Sequence, residues 1–413
     1  MLPLRSYLEK LRTWGAKGAW DYVVATLRNR ILQRRLVASI DWKKASPVRG
    51  ITIIAPLGGG NSLCKVMRDL AFNLKSLGIP FQTFNTSTEQ TVPDEDLLPI
   101  LTPRSQFSLL KYDHVIEMFS APLPKHLPIK RSRIVFWEFE SGLLEYDPKI
   151  NDGHDVIAMS DFNRHVFKQL LPTTVAVHKI LYPFHFENGQ LPTINDIRNK
   201  YGIGASDFMV FFNFDLGSSY YRKNPEAVVK AFAQALGSEP DARLVFKVQG
   251  ASQHADKLDA IRSLAAELSI TDRFTVISSY LPQRDLYGLT NACDVYISLH
   301  RGEGFGLGIA EAMSLGKPVI ITNYSGPTEF CTSGNSILIP YALTPVRPEQ
   351  VDNLCYRFVK EWAEPDVNAA ASALLRLYND SALRVQLGNN GQKTIFTHFS
   401  AENFQASINK LLN

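Results

Sequence analysis

From residue 51 onward, apolar and polar positions fall into a repeating order of strand, turn and helix. The run "ITIIAPL" has the length and composition of a buried strand and is closed by Gly58, Gly59 and Gly60. In the next segment Leu63, Val66, Met67, Leu70, Leu74 and Leu77 recur at helical spacing, with Asn61 or Ser62 as a start signal and Gly78 as a stop. "IPFQTFN", "YDHVIEMF", "SRIVFWEF" and "HDVIAMS" read as further strands. Between residues 181 and 203 the order lapses into Pro, Asn, Gly and charge, which places a domain boundary there. It resumes at "DFMVFFNFD". The segment "NPEAVVKAFAQALG" predicts a helix with Asn224 as N-cap, Pro225 in the first position, Val228, Val229, Phe232 and Leu236 on one face, and Gly237 as stop. "ARLVFKVQG", "RFTVISSY", "DVYISLH" and "KPVIITN" are strands, and "SAENFQASINKLLN" is a closing helix. Strands alternating with helices predict parallel sheets, and two such series predict two α/β domains with a ligand cleft between them.

Length agrees with that division, because 413 residues exceed one ordinary core and suit two domains of about 200. No apolar run approaches the roughly 18 residues of a membrane span. Arg5, Glu9, Lys10 and Arg12 interrupt any signal-peptide core, so the expected location is cytoplasmic. The four cysteines, Cys64, Cys293, Cys331 and Cys355, form no CxxC pair and read as small core residues in a reducing compartment. The nine histidines show no ligand spacing, so no metal site is expected. Charge is uneven: residues 1–49 carry eleven Lys and Arg against three acids. Trp20, Val23, Val24, Leu27 and Ile31 recur there at helical spacing. Such a basic helix either lies on an anionic membrane surface, giving peripheral contact through residues 1–45 on the inner face, or packs on the protein with its basic face in water. The rest of the chain has no basic stripe with interleaved aromatics, which argues against nucleic acid as a partner.

The stretch "HRGEGFGLGIAEAMSLGKPVIITNYSGPTEF" carries the candidate chemistry. Residues 304–308 form the turn from the end of a strand into a short helix stopped by Gly316 and Pro318. Backbone N–H groups at such a turn are unpaired, and the helix dipole adds positive potential, so phosphate or sugar oxygen binds well there. A dinucleotide fingerprint is excluded because Gly304 and Gly306 are followed by Ile309 in the place of the third glycine. A Walker loop is excluded because Gly316 and Lys317 are followed by Pro318. Glu303 and Glu311 frame the turn with seven residues between them, and a carboxylate is a natural acceptor for vicinal sugar hydroxyls. Taken singly, Glu311 also suits a helix start for its charge alone. Lys223 stands just before the Asn-Pro helix start, so its charge and that helix's dipole meet at one anion site.

"EGFGLGIAEAMSLGKPVI", with "YRKNP", "ISSYLPQRDLYGLTNACDVYISLHRGEGFG" and "TNYSGPTEF" around it, resembles the E-x7-E signature of retaining, nucleotide-sugar-dependent glycosyltransferases of family 4. The resemblance is strong over residues 205–345 and weak over 51–185. It implies an α/β protein of GT-B type: two Rossmann-like domains facing across a cleft, with an N-terminal helical extension and a C-terminal helix returning to the first domain. The boundaries are then 1–48 for the basic extension, 49–185 for the acceptor-side domain completed by 397–413, and 186–396 for the donor-side domain. The resemblance implies that Glu303 holds hydroxyls of the donor sugar. The amides of Gly304, Phe305, Gly306 and Leu307 would meet sugar and diphosphate, Glu311 the ribose, and Lys223 the diphosphate. The family's usual arginine is missing near Asp215 and Leu216, and Arg222 is the candidate substitute. Tyr280 and Leu281 are candidates for a base pocket, or for core packing. Gly59 and Gly60 match a Gly-rich loop that approaches phosphates and acceptor. Where the family often has a histidine, this chain reads "VFWEFE", so Glu138 is the candidate for orienting an acceptor hydroxyl.

The activity so implied is transfer of a hexosyl-type sugar from a nucleotide diphosphate sugar to an acceptor hydroxyl, with anomeric retention and without metal. Polysaccharide, glycolipid or other glycoconjugate synthesis would be its setting, with a glycan or lipid-linked acceptor. No cofactor is implied beyond the nucleotide sugar, which is a co-substrate. The family mechanism is front-face attack in which the leaving phosphate takes the acceptor proton, with domain closure excluding water. Two rivals stay open: a nucleotide-sugar epimerase of similar fold, and a non-catalytic relative acting as a scaffold. A scaffold would be expected to have lost Lys223, Glu303 or Glu311, and all three are present.

Overall fold

The computed structural model describes residues 47–87, 92, 94–102, 110–118, 129–148, 150, 154–181 and 191–413. The basic helix expected around Trp20 to Ile31 lies outside the described residues.

Two six-stranded parallel sheets form the frame. The first contains β1 (Val48–Ala55), β2 (Phe81–Asn85), β3 (Tyr112–Glu117), β4 (Lys130–Ile134), β5 (Asp155–Ala158) and β6 (Val177–Lys179), in the order β2-β1-β3-β4-β5-β6. The second contains β7 (Phe208–Asp215), β8 (Ala242–Gln249), β9 (Phe274–Ile277), β10 (Val295–Ser298), β11 (Val319–Thr322) and β12 (Ile337–Ile339), in the order β12-β11-β10-β7-β8-β9. β7 explains why its sequence is nearly all apolar. It lies at the centre of its sheet, covered on both faces, and Phe212 and Phe214 pack against Phe246 of β8. The helix Ser62–Ser76 starts as its sequence predicts, with Asn61 Oδ1 accepting from the Cys64 amide at 3.0 Å.

Three local expectations change. The strand read in "SRIVFWEF" stops at Ile134, and the chain leaves the sheet towards the second domain, with the Trp137 carbonyl taken by Asn163 Nδ2. The stretch read as irregular before residue 203 contains the helix Ile194–Lys200. A buried arginine anchors that helix: Arg198 donates to the carbonyls of Gly204, Ala205, Asp207 and Ala292 and pairs with Asp294 at 3.0 Å. Apolar periodicity cannot register such an anchor. An antiparallel pair, β13 (Tyr341–Pro345) and β14 (Glu361–Pro365), follows the second sheet and had no sequence signal.

The domains meet over a shared apolar cluster in which Val135, Trp137, Phe139 and Leu143 of the first pack with Tyr356, Val359 and Trp362 of the second. Glu329 adds a polar tie, accepting from the Asp161 amide at 2.7 Å and pairing with Lys179 at 2.6 Å. The last helix, Ala401–Leu412, brings Asn413 to the first sheet, where its side chain accepts from Arg49 at 2.7 Å and its carbonyl from Lys130 at 3.1 Å.

Candidate functional site

The order of the second sheet reverses between β7 and β10, and a crevice opens where their C-terminal ends lie side by side. Two loops fill it. After β7 come a turn at Leu216–Ser218, Ser219 at φ 89°, a helical turn at Tyr220–Lys223, and Asn224 at φ 53° before the helix Pro225–Leu236. Non-glycine residues with positive φ cost on the order of 1–2 kcal/mol each, so neighbouring bonds must hold them. Ser219 Oγ accepts from the Arg222 amide at 3.2 Å, and the Arg301 amide donates to the Arg222 carbonyl at 2.8 Å. Asn224 precedes the helix as expected but makes no capping bond. Its side chain instead donates to the Leu299 carbonyl at 3.0 Å and laces this loop to the end of β10.

That lacing brings Lys223 and Glu303 together from 80 residues apart. Lys223 Nζ ion-pairs with Glu303 Oε1, and Arg222 Nη1 lies 3.3 Å from the other carboxylate oxygen. The Glu303 backbone is fixed as well: its amide donates to Ser325 Oγ at 2.8 Å, and Ser325 is itself held at φ 62°. Burial raises the Glu303 carboxyl, but Lys223 and Arg222 outweigh it and hold its pKa at about 2. Burial lowers the Lys223 amine against the pull of Glu303. Arg222 is committed in several directions. Its guanidinium donates to the carbonyls of Gly302 at 2.8 Å and Ser218 at 3.0 Å and packs 5.7 Å from the Tyr356 ring. It also lies 3.9 Å from Glu138 of the first domain, whose carboxyl is raised by burial and lowered in part by Arg222. Burying ions costs several kcal/mol each, so stability alone is a poor reason for this cluster, and perturbed carboxyls in a cleft mark a functional site.

Between the two glutamates the chain turns at Gly306, φ 90°, into the helix Leu307–Ser314. The alternating glycines have a packing cause beyond ligand approach. A Cβ on Gly302 would stand 2.7 Å from the Phe139 ring, one on Gly304 3.3 Å from the Trp137 carbonyl, and one on Gly308 2.4 Å from the Tyr296 hydroxyl. The Phe305 ring is buried against Phe330 and Phe399. Glu311 accepts from the Tyr287 hydroxyl at 3.3 Å and lies 3.7 Å from Lys65 of the first domain. Burial raises its carboxyl and Lys65 opposes that. The two signature carboxyls are thus pushed in opposite directions by their surroundings.

A cleft of about 770 Å³ between the domains is bordered by Glu303, Lys223, Arg222, Glu138, Glu311, Gly60 and the 304–307 turn. Gly59 does not border it, because it packs against Cys64, whose Sγ would lie 2.6 Å from an added Cβ. Tyr280 and Leu281 do not border it either: Tyr280 is exposed and Leu281 is in the core. Sequence reasoning missed Tyr356, Ser219, Ser325 and Lys65. Lys65 sits within a helix stretch that reads as ordinary amphipathic pattern, and Tyr356 belongs to no motif. Among the described residues there is no group of three or more His, Cys, Asp or Glu that could hold a metal, and no helix is long and apolar enough to cross a membrane.

Residues 194–394 match the sequence model of the family described as Glycosyl transferases group 1. Over 191 residues the chain is 27% identical to the D-inositol 3-phosphate glycosyltransferase of Corynebacterium jeikeium, covering 46% of this chain and 39% of that one. The chain spans less than half the length of the first curated relatives it matches. The sucrose-phosphate synthase of Thermosynechococcus elongatus superposes with a TM-score of 0.63 at 17% identity, covering 88% of this chain and 98% of that one. HepE of Anabaena in complex with UDP and glucose superposes with a TM-score of 0.59 at 16% identity, covering 88% of this chain and 99% of that one. The fold is the GT-B fold: two parallel six-stranded sheets with helices, facing across a cleft.

Proposed function

We propose that the chain is a retaining glycosyltransferase of family 4 that moves a sugar from a nucleotide diphosphate sugar to an acceptor hydroxyl without a metal ion. The observation that carries this reading is the meeting of Lys223 and Arg222 with Glu303 at the mouth of the 304–307 turn. That arrangement offers an anion for sugar hydroxyls next to cations and a helix N-terminus for a diphosphate. In the reaction the bond from the anomeric carbon to the donor phosphate oxygen breaks. The acceptor oxygen bonds to that carbon on the same face, and its proton passes to the departing phosphate. Lys223 and the start of helix Leu307–Ser314 balance the charge that develops on the leaving group, and Glu311 holds the ribose. Glu138, on the facing domain, orients the acceptor hydroxyl.

The setting is polysaccharide, glycolipid or other glycoconjugate synthesis in the cytoplasm, with residues 1–45 meeting an anionic membrane surface. A thermal-shift panel of nucleotide sugars, followed by product analysis with candidate glycan and lipid-linked acceptors, tests the reading. A donor that raises the melting point and yields a product of unchanged anomeric configuration supports it. A donor converted to its epimer without any acceptor overturns it. Deleting residues 1–45 should abolish binding to anionic liposomes, and unchanged binding would refute the membrane contact.

A further inference from the structure

The loop that joins β13 to β14, residues 346–360, is held from both domains. On the side of the second domain, Asp352 accepts from the Tyr220 amide at 2.7 Å and pairs with Lys257 at 2.5 Å. Towards the first domain, the Lys360 amide donates to Ser141 Oγ at 3.0 Å, and a Cβ on Gly142 would meet the Phe358 backbone at 2.8 Å. Between these anchors the short turn Leu354–Tyr356 carries Tyr356 against the first domain, where it borders the cleft.

The Tyr356 ring centre lies 6.0 Å from that of Trp137 and 5.1 Å from that of Phe139, the residues on either side of Glu138 in the chain. Arg222 adjoins both groups, its guanidinium 5.7 Å from the Tyr356 ring and 3.9 Å from the Glu138 carboxylate. The Tyr356 hydroxyl hydrogen-bonds the Glu138 carboxyl. Burial holds the phenol well above its ordinary range, so it keeps the proton that it donates. The charged groups that face Glu138 are Arg222 and Lys223 after β7 and Glu303 after β10. Burial and Glu303 raise the Glu138 carboxyl, while Arg222, Lys223 and the bond from Tyr356 lower it. Both cations are shared with Glu303. The hydroxyl has one proton to give, and giving it to Glu138 sets a direction that shared cations do not.

Resting on the proposal that Glu138 orients the acceptor hydroxyl, we propose that Tyr356 is a positioning residue, whose hydroxyl aims the Glu138 carboxylate at the acceptor and keeps it from turning onto Arg222. A carboxylate has about four acceptor sites, so the bond from Tyr356 leaves others open for the acceptor hydroxyl. The acceptor pocket is then the work of both domains. The first supplies the carboxylate, and the loop 346–360 of the second supplies the group that aims it. An acceptor meets an aimed carboxylate only while that loop is seated on Trp137 and Phe139.

Tyr356→Phe keeps the ring and its packing and removes only the hydroxyl. The test compares wild type, Tyr356→Phe, Glu138→Gln and the double variant as full chains, with the donor and acceptor that the nucleotide-sugar panel and product analysis identify. Tyr356→Phe is expected to lower kcat/KM for the acceptor at least about tenfold, the scale of one hydrogen bond to a charged group. Its affinity for the nucleoside diphosphate of that donor, by titration calorimetry, should stay within about twofold of wild type. The acid limb of its pH profile should move to higher pH, because the Glu138 carboxyl loses a bond that lowers it. In the Glu138→Gln background, adding Tyr356→Phe should change the rate by less than about twofold. An equal loss in both backgrounds, an unmoved acid limb, or full activity in Tyr356→Phe beside an impaired Glu138→Gln would overturn this inference alone. So would a matching loss of nucleotide affinity, which would place Tyr356 with Arg222 on the donor. Unimpaired transfer by Glu138→Gln would overturn the role of Glu138 and this inference with it. Wild type that transfers to no acceptor would overturn the transferase reading itself.

Discussion

Lys65 of the first domain lies 3.7 Å from Glu311 of the second, and it also bonds Asp69 one turn along its own helix at 2.5 Å. Burial already raises the Glu311 carboxyl, and Lys65 is the group that opposes this most. Lys65→Met should therefore raise that carboxyl further and protonate it first as pH falls. Donor affinity of the variant is expected to start weakening at a higher pH than that of wild type as pH falls, as measured by titration calorimetry over a pH series. Parallel pH profiles would show that Glu311 does not meet the donor as an anion.

Glu303→Gln keeps the shape of the side chain and removes its charge. Turnover is expected to fall by about 10²–10³-fold, the usual cost of deleting one aligned electrostatic contact in a transition state. Lys223→Met should do the same, with Arg222 still 3.3 Å from Glu303 to balance it and keep the chain folded. Steady-state rates with the identified donor and acceptor, beside circular dichroism, check both. Near-wild-type turnover in either variant would remove these residues from the reaction.

His300 is buried, with Ser298 Oγ 3.2 Å from Nδ1 and the Tyr324 carbonyl 3.2 Å from Nε2. Burial lowers its pKa from 6.5 to about 4. The unfolded chain thus takes up a proton that the folded chain refuses. Stability is complete above about pH 6.5 and is lost as pH falls towards 4, by roughly 3 kcal/mol at most. His114 is held at about 4 for the same leading reason, so the informative quantity is the difference between wild type and His300→Gln. Melting points from pH 7 to 4.5 should fall less steeply in the variant. Glu303 titrates in a lower window, from 4.5 to about 2, and leaves this comparison clear.

Gly302 faces the first domain closely enough that an added Cβ would meet the Phe139 ring at 2.7 Å and the Glu138 carbonyl at 2.9 Å. Gly302→Ala should force the two domains apart or displace Glu138. Transfer is expected to drop at least tenfold while nucleotide affinity, built mainly on the second domain, changes by less. Rate and binding measured on the same preparation separate the two effects.

Much of the fold is legible in the sequence. β7 reads as a buried strand because its run is nearly all apolar, and the helix Ser62–Ser76 because cap, stripe and stop agree. Glu303, Glu311 and Lys223 were visible because local spacing and turn chemistry single them out. What stayed hidden depends on contacts between distant segments. Asn224 looks like an ordinary cap in sequence, and its bond to Leu299 shows only when β7 and β10 lie side by side. Lys247 reads as one more residue of a strand, and only the cleft reveals that its amine is buried. Arg198 could not be told from a solvated helix arginine without the carbonyls that surround it.

The shared cluster of Trp137 and Phe139 with Tyr356, Val359 and Trp362 has a consequence for how the protein melts. Domains that meet only across a wet cleft unfold separately and tolerate being expressed apart. Here residues of both domains close one apolar cluster. Calorimetry of the whole chain is therefore expected to show one heat-absorption peak rather than two. The second domain, cut free, would keep every donor-facing residue named for it yet carry a bare aromatic face that promotes aggregation.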